Sequence, residues 1–343
     1  MRAAVFHGPE DIRIEDLPEP DLADGGLVIQ TAATGLCGSD LRTYHFGHPK
    51  ITGPQILGHE VAGIVVRSGT GAYPVGSRVA VAPGTPCLEC SFCRRGKQNM
   101  CGDRPILGRE VPGGLAERFP VSAQAVRAGT VIEVPDGVDL THAPVAEPLN
   151  AVLNGQDRAR TGPYDRVLVL GLGPIGVLHL AVARARGAAA TVGVDPRPGR
   201  VDAAADVLGA DALFTMTEGW ERRVLEHSGG DGFDVIVLAN TAPQAFGSAM
   251  DLVAVHGRIL AFAGLPKTTP TVPADLNDIH YRETEIIGAF GATPGHFRSA
   301  VQWLGDGHMD LDRFVTERIT LEEINAGFEG IAKGVGMKTM VVF

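Results

Sequence analysis

RVLVLGLGPIGVLHLAVARARGAAATVGVD, Arg166 to Asp195, decides how the rest of this sequence is read. Arg166–Leu170 is a short apolar run with β character, and Gly171-Leu-Gly173-Pro174-Ile175-Gly176 follows it at once. Residues 177–188 have helical apolar spacing, and a second β-like run, Thr191–Val194, ends at Asp195, nineteen residues past Gly176. Strand, G-x-G-x-x-G, helix, strand and acid in that order carry a mechanism. The glycines permit a tight turn and let a pyrophosphate approach the helix N-terminus, while the acid accepts from the hydroxyls of an adenosine ribose. A bare G-x-G-x-x-G is weak in a chain with 45 glycines; flanked by these elements it is specific.

The same alternation continues on the C-terminal side. Gly199–Asp211 reads as a helix, Phe233–Ala239 as a buried strand, Ala242–Val255 as a helix, and Arg258–Gly264 and Thr284–Phe290 as strands. Strands alternating with helices from about Tyr164 to Ala289 predict an α/β, doubly wound parallel sheet. The first 150 residues differ. Short β-like runs (Leu27–Ala33, Val61–Val66, Arg78–Pro83, Ala116–Val121) separated by Gly and Pro turns predict an irregular β-rich domain. Phe297–Gly307 and Thr320–Gly334 read as helices that return to it. The expected division is 1–150, 151–288 and 289–343.

Composition excludes several function classes. With 40 acidic against 30 basic residues the chain carries a net charge of −10. It therefore lacks the basic balance expected of a nucleic-acid or anionic-membrane partner. The first twenty residues lack the apolar core and cleavage site of a signal peptide. The longest apolar run, Val167–Ala183, contains Gly, Pro174 and His179 and reads as a strand turning into a helix rather than a membrane span. A cytoplasmic location is expected.

Five cysteines complete the picture, four of them within fifteen residues: Cys87, Cys90, Cys93 and Cys101. Thiols in a reducing compartment bind metal more often than they pair. The spacing C-x2-C-x2-C-x7-C, in a loop that also holds Arg94, Arg95 and Lys97, suits a closed tetrahedral structural zinc better than buried core thiols. Cys37 stands apart, followed by Ser39 and Asp40, with His59-Glu60 downstream and Glu147 further on. A thiolate, an imidazole and carboxylate oxygens make a mixed shell typical of a zinc with a replaceable ligand. Each of these residues alone is more often packing or surface; together with the assigned cluster they form a candidate centre.

In order and spacing, Cys37-Gly-Ser-Asp40, Gly58-His-Glu60-Val-Ala-Gly63, Gly76-Ser-Arg-Val79, the four-cysteine lobe (87–101), Glu147-Pro148-Leu149, Gly171–Gly176 and Lys338 resemble the zinc-dependent medium-chain dehydrogenase/reductases along the whole chain. The sorbitol (polyol) dehydrogenase branch is nearest. The resemblance implies a GroES-like catalytic domain interrupted by a Rossmann domain. It also implies that Cys37, His59, Glu60 and Glu147 hold a catalytic zinc or its water, and that the enzyme interconverts a secondary alcohol and its ketone by hydride transfer to NAD. Glu147 stands where alcohol-dehydrogenase relatives usually carry a cysteine, which favours a polyol, sugar or cyclitol substrate. The resemblance further places Ser39 in proton transfer and Asp40 in holding its loop. Tyr44, His45, Phe46 and Phe290 are candidates for the substrate pocket, and a homodimer or homotetramer is expected.

Asp195 should favour NAD over NADP, with Arg200 covering the adenine or facing solvent. Many relatives carry a relay histidine where this chain has Arg42, a permanent cation suited to the cofactor pyrophosphate or to an anionic substrate. Alternative readings are a sugar-phosphate or aminocyclitol dehydrogenase, a zinc-free quinone-type reductase and a non-catalytic dinucleotide-binding protein.

Overall fold

The structure, a computed structural model of the chain, describes residues 1–209 and 212–343. It divides into two compact units: Met1–Asn150 with Ala292–Gly307 and Phe314–Phe343, and Ala151–Gly291 with His308–Arg313. The chain returns to the first unit at Ala292 rather than at 289, and residues 308–313 group with the second unit.

The N-terminal stretch runs β1 (Arg2–Gly8), β2 (Asp11–Asp16), β3 (Leu27–Gly35), α1 (Gly38–Phe46), β4 (Gln55–Ile56), β5 (Glu60–Ser68), β6 (Arg78–Val81), α2 (Ser91–Arg94), β7 (Arg118–Val121), α3 (Ala123–Arg127) and β8 (Val131–Glu133). α4 (Ala146–Arg158) follows, and the second unit begins within it. That unit contains β9 (Arg166–Leu170), α5 (Pro174–Ala185), β10 (Ala190–Asp195), α6 (Pro198–Leu208), β11 (Ala212–Thr215), α7 (Trp220–Glu226), β12 (Phe233–Leu238), α8 (Gln244–Leu252), β13 (Val253–Ala261), α9 (Leu276–Arg282) and β14 (Glu285–Gly288). The remainder is α10 (Pro294–Gly305), α11 (Leu311–Phe314), β15 (Glu317–Ile319), α12 (Ile324–Lys333) and β16 (Thr339–Val342).

Among the described residues of the second unit, six strands pair in the order β11-β10-β9-β12-β13-β14, each neighbouring pair parallel. In the unit's own numbering this is 3-2-1-4-5-6, the dinucleotide-fold order. β9 is central, and Val167, Leu168, Val169 and Leu170 are all fully buried. A continuous apolar run rather than an alternating one is what a parallel strand covered on both faces requires. Each such side chain contributes about 1.5–3 kcal/mol of burial.

One expectation changes here. α8 stops at Leu252, and Val253–Val255, read from sequence as the helix end, opens β13; Val253 pairs with Phe233. The β-branched valines lose little rotamer freedom in a strand, and this tips the boundary. The last two residues of the expected helix Gly199–Asp211 lie outside the described residues; the described part is α6.

In the first unit β15-β16-β3-β5-β6-β8 form one sheet, β7 pairs with β3, and β2-β1-β4 form another. β16 runs antiparallel to β3, so the C-terminal strand is inserted beside the chain that leads to Cys37. The pairing also brings Lys338 to the site described below.

α5 carries a buried polar group. His179 is fully buried, and its Nδ1 lies 2.8 Å from Gln156 Nε2, which donates; the remaining proton therefore sits on Nε2. Phe262 packs edge-on against the ring at 4.5 Å. Burial, reinforced by Arg186, pushes the imidazole from 6.5 to about 3. Because the folded value is the lower one, stability is complete above the unfolded pKa of 6.5. It falls as acid protonates only the unfolded chain, by about 1.4 kcal/mol per pH unit. Denaturation curves at pH 7 and pH 5 should therefore show a His179→Met variant losing about 2 kcal/mol less than the parent. Equal losses would mean that His179 does not stay neutral in the fold.

Candidate active site

α1 begins at Cys37, its N-cap. The backbone N–H of Cys37 donates to Asp40 Oδ2 at 3.3 Å, so the aspartate ties the first turn together. The other oxygen of Asp40, Oδ1, accepts from His59 Nδ1 at 3.0 Å. That bond commits Nδ1 as the donor, so that Nε2 is the nitrogen a metal would take in place of a proton, the usual arrangement behind a metal-binding histidine. His59 is buried. Burial opposes its protonation, but the Asp40 carboxylate and Cys37 raise its pKa well above 6.5. Ser39 Oγ stands 3.5 Å from His59 Nε2. The sequence reading gave Asp40 a role in its own loop; the structure adds the orientation of His59.

Glu60 opens β5 directly opposite Gly35 of β3. Its carboxylate is fully buried and paired with Lys338 Nζ, which also donates to Leu36 O at 2.9 Å. A Cβ on Gly35 would overlap Glu60 Oε2 and lie 3.1 Å from Lys338 Cε. The sequence-level signals for this pair were Lys338 near the C-terminus and Gly35 before Leu36-Cys37; neither disclosed the contact, because it depends on β16 pairing with β3. Ligand atoms of Cys37, His59 and Glu60 all lie within 4.8 Å of one another, while Glu147 stands outside that group. Glu147 sits in the first turn of α4. Burial pushes its carboxyl up to about 7, with His59 pulling it down and Glu60 raising it.

Other predicted residues are placed differently. Tyr44 stacks on Phe328 at 4.9 Å and packs on the core of the first unit. His45 lies 3.4 Å from Glu10, Phe46 is 80% exposed, and Phe290 is exposed in the second unit. Arg42 is exposed.

The four clustered cysteines meet as the spacing predicts, with all four sulfurs within 4.8 Å. Backbone N–H groups are aimed at the sulfurs: Cys90 N lies 3.4 Å from Cys87 Sγ, and Cys87 N lies 3.5 Å from Cys101 Sγ. Backbone donors from Cys90 and Glu89 hold the Cys87 thiol at about 7, whereas burial pushes Cys93 to about 12. Four converging thiols, one already poised as thiolate and solvated by amides, fit a tetrahedral cation of the zinc type.

In the second unit the glycine turn has the geometry its sequence demands. Gly171 adopts φ +108, and a Cβ on Gly176 would overlap the Gly171 carbonyl oxygen, so both positions exclude a side chain. Gly173 caps α5, and nothing lies within 4 Å of where its Cβ would be, which leaves the cradle at the helix N-terminus open. Pro174 and Ile175 form the first turn behind it. Asp195 ends β10, buried; its Oδ2 accepts from Leu172 N and its Oδ1 from Arg197 N, each at 2.9 Å. Beside it opens a cavity of about 270 Å³ lined by Gly171, Asp195, Arg197, Trp220 and Asn240. Arg200 is half-buried nearby; burial and Arg197 lower its pKa, whereas Asp195 raises it.

A mixed thiolate–imidazole–carboxylate centre, a four-thiol lobe and a dinucleotide-type turn on a 3-2-1-4-5-6 sheet together define an alcohol-dehydrogenase type of protein. The sequence comparisons agree. Residues 23–136 match the alcohol dehydrogenase GroES-like domain and residues 174–306 the zinc-binding dehydrogenase family. Sorbitol dehydrogenase of Bombyx mori is 31% identical, covering 99% of this chain and 97% of its own. Sorbitol dehydrogenase of Bacillus subtilis is also 31% identical, over 96% and 93%. A Sinorhizobium meliloti 1021 protein solved with NADP superposes with a TM-score of 0.91 at 26% identity, covering 100% of this chain and 99% of that one. The chain belongs to the zinc-dependent medium-chain alcohol dehydrogenases, in the sorbitol and polyol branch.

Proposed function

We propose that the protein oxidises a secondary alcohol of a polyol, sugar or cyclitol to the ketone, and reverses that reaction, with NAD as hydride acceptor. The observation that carries this reading is the convergence of Cys37, His59 and Glu60 on one point within 4.8 Å. It is supported by the relatives named as sorbitol dehydrogenases. Cys37 Sγ, His59 Nε2 and a Glu60 oxygen would hold the catalytic zinc, with Glu147 as a further ligand or as the holder of its water. Cys87, Cys90, Cys93 and Cys101 would hold the structural one. When bound, the catalytic zinc supplies a Lewis acid that lowers the pKa of a substrate hydroxyl. The chain's own residues do the rest. Asp40 keeps the His59 tautomer fixed, Ser39 receives the hydroxyl proton and passes it outward, and Lys338 neutralises Glu60 while the site is idle.

Residues 1–150 with the C-terminal return would form the catalytic domain, and the sheet domain would bind NAD through Gly171, Gly173, Pro174, Ile175, Gly176 and Asp195. Arg200 would cover the adenine, and Arg42 would meet the pyrophosphate. The protein is assigned to the cytoplasm on its five free cysteines, which fit a reducing compartment; among the described residues no helix is long and apolar enough to cross a membrane. A homodimer or homotetramer is part of this reading; edge strand β14 exposes Ile286, and α9 exposes Leu276 and Tyr281.

Asp195 gives the most direct test of cofactor choice. Its carboxylate lies where the 2′-phosphate of NADP would meet it, so kcat/KM should be at least about tenfold higher with NAD. An Asp195→Ala variant should lose most of that preference. A parent enzyme that prefers NADP would overturn the assignment and give Arg197 and Arg200 the phosphate instead. A panel of polyols, cyclitols, sugars and simple alkanols tests the substrate class: turnover confined to simple alkanols would sink it.

A further inference from the structure

Two guanidinium groups lie a few residues upstream of Gly113–Leu115, the stretch whose backbone pairs with Ile56–Gly58 just before His59, and neither has an ion-pair partner among the described residues. Arg104 and Arg109 are both half-buried, and among the described residues neither forms an ion pair or a side-chain hydrogen bond. Both belong to the segment that braces the approach to His59. Gly113 N donates to Ile56 O at 2.8 Å, Gly114 N to Gly58 O at 2.8 Å, and Leu115 N to Leu57 O at 3.0 Å. Arg109 is held in a turn closed by Gly108 N to Val111 O at 2.8 Å, and its own carbonyl accepts from Gln55 Nε2 at 2.7 Å. The stem of Arg104 packs over Gly84, where a Cβ would approach Arg104 Cδ to 2.9 Å. Both backbones are thus fixed while both heads remain uncommitted.

The carboxylate that shares their turn is already in use. Glu110 pairs with Lys50 through Oε1 and accepts from Ile106 N at 3.1 Å through Oε2. Asp103, next to Arg104 in the chain, makes no ion pair with it. Burial depresses the Arg104 guanidinium; Cys101 raises it, Arg109 depresses it further, and Glu147 and Glu110 raise it. The two arginines therefore feel one another, and Arg104 feels the carboxylate assigned to the metal centre. His48 is likewise depressed by burial and then by Arg109, so the positive field extends to the loop after α1. A half-buried cation that no carboxylate pairs with directly is costly to keep, and two of them in one short segment point to an anion to be received.

We infer that Arg104 and Arg109 form a subsite for a terminal oxyanion of the polyhydroxy substrate, a phosphate monoester or a carboxylate, held while a hydroxyl elsewhere on the same molecule lies at Cys37 and His59. This rests on the proposed dehydrogenase reading and narrows its substrate class. Guanidinium suits the task because its planar fork grips phosphate or carboxylate oxygens two at a time and stays charged at any working pH. Arg42, the anion-binding residue expected from sequence, is more exposed than either.

The test compares D-glucitol, D-glucitol 6-phosphate and D-gluconate on the zinc-loaded enzyme, by turnover with NAD and NADP and by calorimetric binding. The anionic compounds should bind at least tenfold more tightly than D-glucitol. The preferred one of the two identifies the oxyanion. In Arg104→Met and Arg109→Met that ratio should fall at least tenfold, and Arg104→Lys, which keeps the charge but loses the fork, should give an intermediate ratio and covers the case in which methionine prevents folding. Equal binding of neutral and anionic compounds by the parent, or an unchanged ratio in the variants, would overturn the inference. Anion-selective binding without turnover of any compound would instead leave the subsite standing and remove the dehydrogenase reading.

Discussion

Replacing His59 by alanine or Cys37 by serine is expected to lower turnover by about a thousandfold or more, since a lost Lewis acid is worth several kcal/mol of barrier. The zinc content should fall from about two per chain to about one. The reason lies in the local geometry. His59 Nε2 is freed for a metal only because Nδ1 is committed to Asp40, and Cys37 is held at the N-cap of α1 by that same aspartate. The fold should survive, because the sheet of the first unit does not pass through either side chain. Cys93→Ser should behave in the opposite way, losing the lobe metal and thermal stability first, because Cys93 is one of two buried thiols in a four-sulfur shell. Full turnover in Cys37→Ser would remove the metal centre from the mechanism.

A second large effect is expected at Lys338. Its ammonium and the Glu60 carboxylate are 5% and 0% exposed and face one another, so each is the other's principal counter-charge. Removing one partner of a buried pair leaves an uncompensated charge, which typically costs about 3–5 kcal/mol. Lys338→Met should therefore lower the thermal midpoint by on the order of 10 °C, and Lys338→Arg should recover part of it. Gly35→Ala should be damaging by the same route, since its methyl would occupy the space of the Glu60 carboxylate. A Lys338→Met midpoint within a degree or two of the parent would show that Glu60 is satisfied by something other than Lys338.

These two sites differ in how far the sequence disclosed them. The glycine turn was legible because its chemistry is local: Gly171, Gly176 and Asp195 act within a single strand–helix–strand unit whose periodicity changes where the chain turns. The cysteine lobe was legible for the same reason. Cys37, His59 and Glu60 were found through motif and resemblance, and β3–β5 pairing then brings them together. The Lys338–Glu60 contact spans nearly the whole chain, and no local pattern encodes it. The second function of Asp40 was hidden because a capping aspartate and a histidine-orienting aspartate look alike in sequence. The end of α8 failed at Val253–Val255, where an apolar run satisfies both periods and strand pairing settles the matter.

The central claim, that a zinc ion held by Cys37, His59 and Glu60 enables oxidation of a polyhydroxy secondary alcohol, is tested most directly by metal replacement. Protein stripped with a chelator under conditions that spare the lobe zinc is assayed for reduction of NAD by a polyol, then titrated with zinc. The account predicts negligible turnover in the stripped protein and full recovery at about one added zinc per chain. Undiminished turnover by the stripped protein, with its metal content verified, would contradict it.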